Sequence, residues 1–206
     1  MNRLGFLVAR TLRREAPLET LSVPAADLMA ELSGKRVALV GNARSLAERA
    51  EGAEIDAADL VIRINRAPMP SAASHGTRTD WLALATSIGE DDLGRIDPAR
   101  ILWMSHKRKR LSWSVATSPG FYLHPLSEFA ALRDRMGAPP TTGAMMIDLL
   151  ARSDLAALRL HGFDFFASLS LTGSRRADQV PHDFAAEKAF VERLMSEDSR
   201  VTQAGA

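Results

Sequence analysis

The sequence predicts a single α/β domain, Rossmann-like, on a mostly parallel sheet. Three observations predict it. Short apolar runs (Val37-Ala38-Leu39-Val40, Leu60-Val61-Ile62, Ile101-Leu102-Trp103-Met104 and Leu158 to His161) alternate with stretches of helical character. Three of these runs lead into Gly or Asn, at Gly41-Asn42, Asn65 and Gly162-Phe163. The length of 206 residues suits one domain with a sizeable core. In such sheets ligands bind beyond the carboxyl ends of the strands, where these polar tips fall.

Taken in order, Ala25 to Leu32 reads as a short helix stopped at Gly34. Val37 to Val40 is the first strand. Ala43 to Ala50 can form one or two helical turns, and the acidic stretch from Glu51 to Asp59 reads as a loop. Asp59 to Ile64 is the second strand, after which Pro68 and Pro70 break regular structure. Ser71 to Thr79 is a polar loop, and Trp81 to Ala85 a third strand or a buried turn. A further strand lies within Ile96 to Ser105 and another at Phe121 to Leu123. Leu126 to Met136 is helical, ended by Gly137 and Pro139-Pro140. Thr141-Thr142-Gly143 opens a helix through Arg152 with Met145, Met146, Leu149 and Leu150 as its apolar stripe. Leu158 to His161 is a strand, Ser168 to Gln179 a polar loop, and Asp183 to Met195 the last helix.

Composition narrows the function classes. With 46% hydrophobic and 25% charged residues the chain is an ordinary soluble globular protein. A net charge of +1 speaks against a protein wrapped in nucleic acid. The absence of cysteine excludes disulfides, thiolate chemistry and Cys-based zinc sites, and fits a reducing compartment. No apolar run approaches the roughly 20 residues that span a bilayer. The first residues, MNRLGFLVARTLRREAP, make a poor signal peptide. As a helix they put Leu4, Leu7, Val8 and Leu12 near one face with arginines around the other. That pattern can lie on an anionic membrane surface or pack on the domain.

Three clusters can carry chemistry. Gly41 lets the backbone come close to a ligand or take φ > 0, and Asn42 and Asn65 each offer a donor and an acceptor that suit a base or ribose. Thr141-Thr142-Gly143, at a helix start, reads either as a plain cap or as a ribose- or phosphate-binding turn. His182, at the mouth of the last helix, has an imidazole that can accept a proton near neutral pH. Glu187 lies about 140° further round a regular helix, so the two meet only if His182 precedes the helix and folds back. Cationic candidates for a phosphate are Arg78, His106 in the run through Arg110, and Arg175-Arg176. There is no GxGxxG, P-loop, HExxH or nucleophile elbow, and no His cluster with metal-ligand spacing. The missing glycine fingerprint also argues against an NAD-dependent oxidoreductase.

In this order the clusters resemble the sialylmotifs of the sialyltransferases of glycosyltransferase family 29. Gly41-Asn42, Ile55-Asp56 and Val61 to Pro68 resemble the large motif, with Gly76-Thr77-Arg78-Thr79 following. Thr141-Thr142-Gly143 through His161-Gly162-Phe163 resembles the small motif, and His182 with Glu187 the very small one. The resemblance covers about Lys35 to Leu194. It implies a variant GT-A-type fold and inverting, metal-independent transfer of sialic acid from a CMP-activated donor to a sugar hydroxyl, with no cofactor besides the donor. It implies nucleotide contacts from Gly41, Asn42, Asn65, Thr141, Thr142, Gly143 and Gly162. It makes His182 the general base and has Glu187 hold that corner. It divides the chain into an N-terminal basic amphipathic segment and helix, 1–34, and a nucleotide-sugar-binding domain, 35–206. The expected setting is a compact bacterial-type enzyme, cytoplasmic or peripheral at the inner membrane, acting on a glycan or lipid-linked glycan.

The sequence departs from the family twice. Positions that animal members join by a disulfide correspond here to Val37 and Leu155, both apolar. The family's further His near the donor phosphate is missing between Phe163 and His182. A CMP-Kdo transferase and a non-catalytic nucleotide-binding module are the alternatives.

Overall fold

The computed structural model describes residues 1–164 and 183–205. Seven strands form one sheet: β1 (Arg36–Val40), β2 (Leu60–Ile64), β3 (Trp81–Leu84), β4 (Arg100–Trp103), β5 (Tyr122–Leu123), β6 (Ala157–His161) and β7 (Val201–Gln203). Their order is β5-β4-β3-β2-β1-β6-β7, and every neighbouring pair is parallel. The chain walks outward from β1 to β5, then returns to place β6 on the other side of β1. The reversal puts the switch point between β1 and β6, where α/β sheets open a crevice at the carboxyl edge.

Helices cover both faces. Val37 and Leu39 of β1 enter one apolar cluster with residues from α3 (Ala25–Leu32), α8 (Leu126–Met136), α9 (Thr142–Ala151) and α10 (Phe184–Glu197). Ala38 and Val40 enter another, with Leu46, Ile55 of α4 (Gly52–Asp56) and Val61. Toward β4 the second face is filled by Phe6 and Ala9 of α1 (Arg3–Thr11) and Leu18 of α2 (Glu15–Glu19), packed with Leu82, Ile101 and Trp103. Burial on both faces is why the central strands read as unbroken apolar runs. Val37 and Leu155 are both buried in the first cluster.

The helix ends follow the chemistry of their caps. Gly137 closes α8 in the left-handed conformation at φ 72°. Thr141 opens α9, its Oγ1 accepting the Ala144 N–H at 3.1 Å. Asp183 opens α10 by accepting the Ala186 N–H at 2.9 Å.

The structure differs from the sequence reading in four places. The acidic stretch expected as a loop contains α4. The polar stretch after Pro70 contains α5 (Ala72–His75), and a Cβ on Gly52 would lie 1.9 Å from the Ala72 carbonyl, so these two short helices can cross only at a glycine. A helix α6 (Glu90–Ile96) precedes β4, ended without glycine by Asp97 at φ 45°. Finally, β7 went unanticipated: Val-Thr-Gln is too short and too polar to show a period. A last short helix, α7 (Trp113–Ala116), leads toward β5.

Candidate active site

The tips of β1 and β6 are fastened to each other. Gly41 N–H donates to the His161 carbonyl at 2.7 Å and Ala43 N–H to the Gly162 carbonyl at 3.1 Å, extending the parallel ladder past both strands. A Cβ on Gly41 would sit 2.4 Å from the Gly162 oxygen and 3.2 Å from the Phe163 ring. Glycine is therefore required at 41 by another piece of backbone, whatever binds above it. Gly162 turns the chain at φ 64°, which favours glycine again. Asn42 is buried beside this junction, its side-chain N–H donating to the Ile64 carbonyl of β2 at 3.3 Å.

The amino end of α9 faces the same place. A Cβ on Gly143 would lie 2.7 Å from the Phe163 ring, so Phe163 packs between the β1 tip and the start of α9. Thr141 does two jobs. Its hydroxyl caps α9 and also donates to Glu187 Oε1 at 2.8 Å. Glu187, in the first turn of α10, is only 5% exposed. Burial pushes its carboxyl up to about 7, and the Thr141 hydroxyl pulls it partly back. Among the described residues its Oε2 has no hydrogen-bond partner. A carboxyl poised near neutrality at the junction of two helix starts can hold or release a proton. Thr142 is buried next to it.

Asn65 stands at the tip of β2, adjacent to β1. Its backbone is left-handed at φ 55°, and its side-chain oxygen accepts the Ala85 N–H at 3.2 Å. That fixes the side chain and turns its amide nitrogen into the end that can serve a ligand. Ala67, two residues on, is buried and also left-handed, at φ 45°. For alanine this costs roughly 1–2 kcal/mol, strain of the kind that collects at functional edges.

The structure does not bring Arg78 to this crevice. Arg78 lies before β3, at the opposite edge of the sheet. Its guanidinium donates to the carbonyls of Asp56 and Ala58, each at 2.8 Å, and to Asp80 at 2.8 Å. The neighbouring residues share the task. Thr77 bonds the Asp56 carboxylate through N–H and hydroxyl, and Gly76 is needed because a Cβ there would meet that carboxylate at 2.4 Å. The buried Arg63 of β2 reaches into the same loop, donating to the carbonyls of Arg78 at 2.8 Å and His75 at 2.5 Å. Burial pushes Arg63 down to about 10, opposed by Asp56 and Asp80. The Gly-Thr-Arg-Thr segment thus fastens the corner between α4 and β2. Arg78→Ala is expected to cost about 1–3 kcal/mol of stability. Thermal melts should show it, while titrated nucleotide affinity stays within about twofold of the native value.

His106 follows β4, at the carboxyl edge but three strands from β1, with its ring against Phe129 at 4.5 Å. Burial and the cations around it lower its pKa. Arg175, Arg176 and His182 lie outside the described residues. His182 immediately precedes the Asp183 cap, so it belongs ahead of α10 in the chain.

Two sets of contacts at the site carried no signal in the sequence, although Phe163 and His161 stood in the motif. Phe163 is the ring that both Gly41 and Gly143 make room for. Behind it, His161 Nδ1 is 2.8 Å from Glu51 Oε2, Glu51 is 3.3 Å from Arg49, and Arg49 donates to the Ala204 carbonyl at 3.1 Å. The partners are 110 residues apart in the first pair, and no local spacing announces such a contact. His124, at the tip of edge strand β5, is buried with neither ring nitrogen bonded among the described residues, and burial pushes it down to about 4.

A fully parallel, doubly wound sheet with glycine-tipped strands at its switch point defines an α/β domain of GT-A type. Residues 8–98 match the model of glycosyltransferase family 29 (sialyltransferase). Among solved structures, a mammalian sialyltransferase matches with a TM-score of 0.68 and 20% identity, covering 98% of this chain and 79% of that one. The mammalian enzyme in complex with Gal-beta-1-3GalNAc-ortho-nitrophenol matches with a TM-score of 0.65 and 18% identity over the same shares. The sialyltransferase CstII from Campylobacter jejuni, in complex with the substrate analogue CMP-3FNeuAc, matches with a TM-score of 0.55 and 15% identity. It covers 82% of this chain and 80% of that one. No curated protein sequence matches the chain. The chain is thus similar to the sialyltransferases of glycosyltransferase family 29 over residues 8–98, and it shares their fold over nearly all of its length.

Proposed function

We propose that the protein transfers sialic acid, or a related nonulosonic acid, from a CMP-activated donor to a glycan or glycolipid hydroxyl, with inversion and without a metal. The observation that carries this reading is the Thr141–Glu187 hydrogen bond beside the joined tips of β1 and β6. It unites at one point the segments that resemble the large, small and very small motifs. Asn42 and Asn65 present polar side chains to the nucleotide over a floor of Gly41 and Gly162. Thr142 and Gly143 offer the N-terminal N–H groups of α9 to the ribose or phosphate, where the helix dipole favours an anion. His182 takes the proton from the acceptor hydroxyl, and Glu187 holds that corner. CMP is a good leaving group, so positioning, one base and charge stabilisation supply most of the chemistry. With Arg78 and His106 placed elsewhere, Arg175 and Arg176 are the remaining candidates of the sequence for the phosphate.

The setting fits a cytoplasmic protein working at the inner face of a membrane; among the described residues no helix is long and apolar enough to cross one. Calorimetric titration with CMP, UMP and AMP tests the donor class. CMP is expected to bind at least tenfold tighter than the others, and the reverse preference would sink the reading. Incubation with CMP-sialic acid and with CMP-Kdo, over a panel of galactosides, then separates the two donors by product.

A further inference from the structure

Helix α1 has two apolar sides, and the domain uses only one. Phe6 and Ala9 are buried against the sheet's second face, Phe6 edge-on to Trp113 at 5.3 Å. Met1, Leu4, Leu7, Val8 and Leu12 point outward, with Leu4 71% and Leu12 58% exposed. At 100° per residue Leu4, Leu7, Val8 and Leu12 fall within an arc of about 140°, a ridge along the helix. Arg3 and Arg10 border one side of it, and Arg13 and Arg14 follow its end.

A second basic segment, remote in sequence, is held against this one. Arg10 donates to the Leu111 carbonyl at 2.5 Å. Arg108 is buried in a two-pronged bond to Glu15, at 2.8 to 3.2 Å, which fastens the loop after β4 to the start of α2. The result is an open cavity of about 320 Å³, lined by Arg13, His106, Lys107, Arg108, Lys109 and Arg110. Of these only Arg108 is paired with a carboxylate among the described residues.

We propose that the α1 ridge and the 106–110 loop together form a docking surface for an anionic lipid membrane. The ridge inserts its leucines among the acyl chains, and the cavity and its rim receive the acidic headgroups. Charge selects this occupant over a second copy of the chain. A symmetric pairing through the ridge would set Arg3, Arg10, Arg13 and Arg14 against their own counterparts. The loop lies at the carboxyl edge of β4, three strands from β1. Docking would therefore hold the membrane roughly 15 Å along the sheet from the crevice, within reach of a lipid-linked acceptor. The inference does not depend on the identity of the donor sugar.

Cosedimentation of the full chain with vesicles tests it. Vesicles of phosphatidylcholine with about one third phosphatidylglycerol are expected to bind at least tenfold more strongly than phosphatidylcholine alone. Raising salt to about 0.5 M should weaken that binding. Lys107→Glu/Lys109→Glu/Arg110→Glu should lower it about a hundredfold, and Leu4→Ser/Leu12→Ser at least tenfold. All five positions are exposed, and thermal melts verify that the variants fold. No binding to the acidic vesicles overturns the proposal, as does binding that the loop substitutions leave unchanged. A dimer in sedimentation equilibrium that Leu4→Ser/Leu12→Ser abolishes, with no vesicle binding, assigns the ridge to a second copy and overturns it too.

Discussion

Gly41→Ala is expected to lower nucleotide affinity and turnover by about a hundredfold and stability by about 2–3 kcal/mol. The added Cβ would meet the Gly162 carbonyl oxygen at 2.4 Å, about 1 Å inside ordinary contact. No rotamer relieves the clash, because both partners are backbone. The Phe163 ring closes the other side, 3.2 Å from the added Cβ, and Gly162 is itself hemmed in, since a Cβ there would lie 3.0 Å from Leu46. Either the Gly41–His161 and Ala43–Gly162 hydrogen bonds break, or both strand tips move apart. Gly52→Ala is the control. Its clash with the Ala72 carbonyl is tighter still, but it lies at the α4–α5 crossing. It should destabilise the protein without changing nucleotide affinity in the fraction that folds. Chemical denaturation and calorimetric titration on both variants separate the outcomes. Native affinity in Gly41→Ala would remove the floor from the site.

The second large effect is expected at His182 and Glu187. His182→Ala should lower turnover at least a hundredfold while donor affinity persists, the usual contribution of a general base. Glu187→Gln is expected to separate stability from activity through pH. Burial raises the Glu187 carboxyl to about 7 from an ordinary value of 4.5, so folding favours its protonated form. That contribution is complete below pH 4.5 and is lost as pH rises through 7. The native protein therefore forfeits up to about 3 kcal/mol across this window. Glutamine keeps an acceptor for the Thr141 hydroxyl and carries no charge, so the variant should gain on the native protein steadily from pH 4.5 to 8. His124, pushed down to about 4, acts in the opposite direction: its contribution is present above pH 6.5 and lost toward 4. It is common to both proteins and cancels in the comparison. Turnover of the Gln variant should fall and lose its inflection near 7. A stability difference that does not change with pH would mean that Glu187 is charged and solvated.

Most of the fold could be read from the sequence because the elements that build it are local and buried. The runs at Val37 and Leu60 are apolar throughout since both faces of the sheet are covered, while the Leu158 run alternates and leaves Arg159 half-buried. The caps at Thr141 and Asp183 announce their helices through side chains three residues from the N–H they accept. The site was legible as a set of positions, and less so as a set of reasons. Gly41 was expected to let the backbone approach a ligand, and the structure adds a second reason for glycine there, the Gly162 carbonyl packed against it. Arg78 was a candidate for a phosphate, and the structure shows its guanidinium committed to Asp56, Ala58 and Asp80 at the far edge of the sheet. Each of these outcomes depends on which distant segment folds alongside, and a residue's own neighbours in sequence carry no record of that. The same limit hid the His161–Glu51–Arg49 chain and the meeting of α1 with the loop after β4.

The joined tips of β1 and β6 have a consequence for how the crevice can respond to a ligand. Two hydrogen bonds and a glycine-to-glycine contact leave no hinge between the two halves of the sheet. A nucleotide would land on a surface whose shape folding has already settled, and little conformational freedom is left there for binding to remove. If the proposed function holds, adaptation to different acceptors must come from the rim, and exchanging rim loops should change the acceptor while the tips keep the same donor.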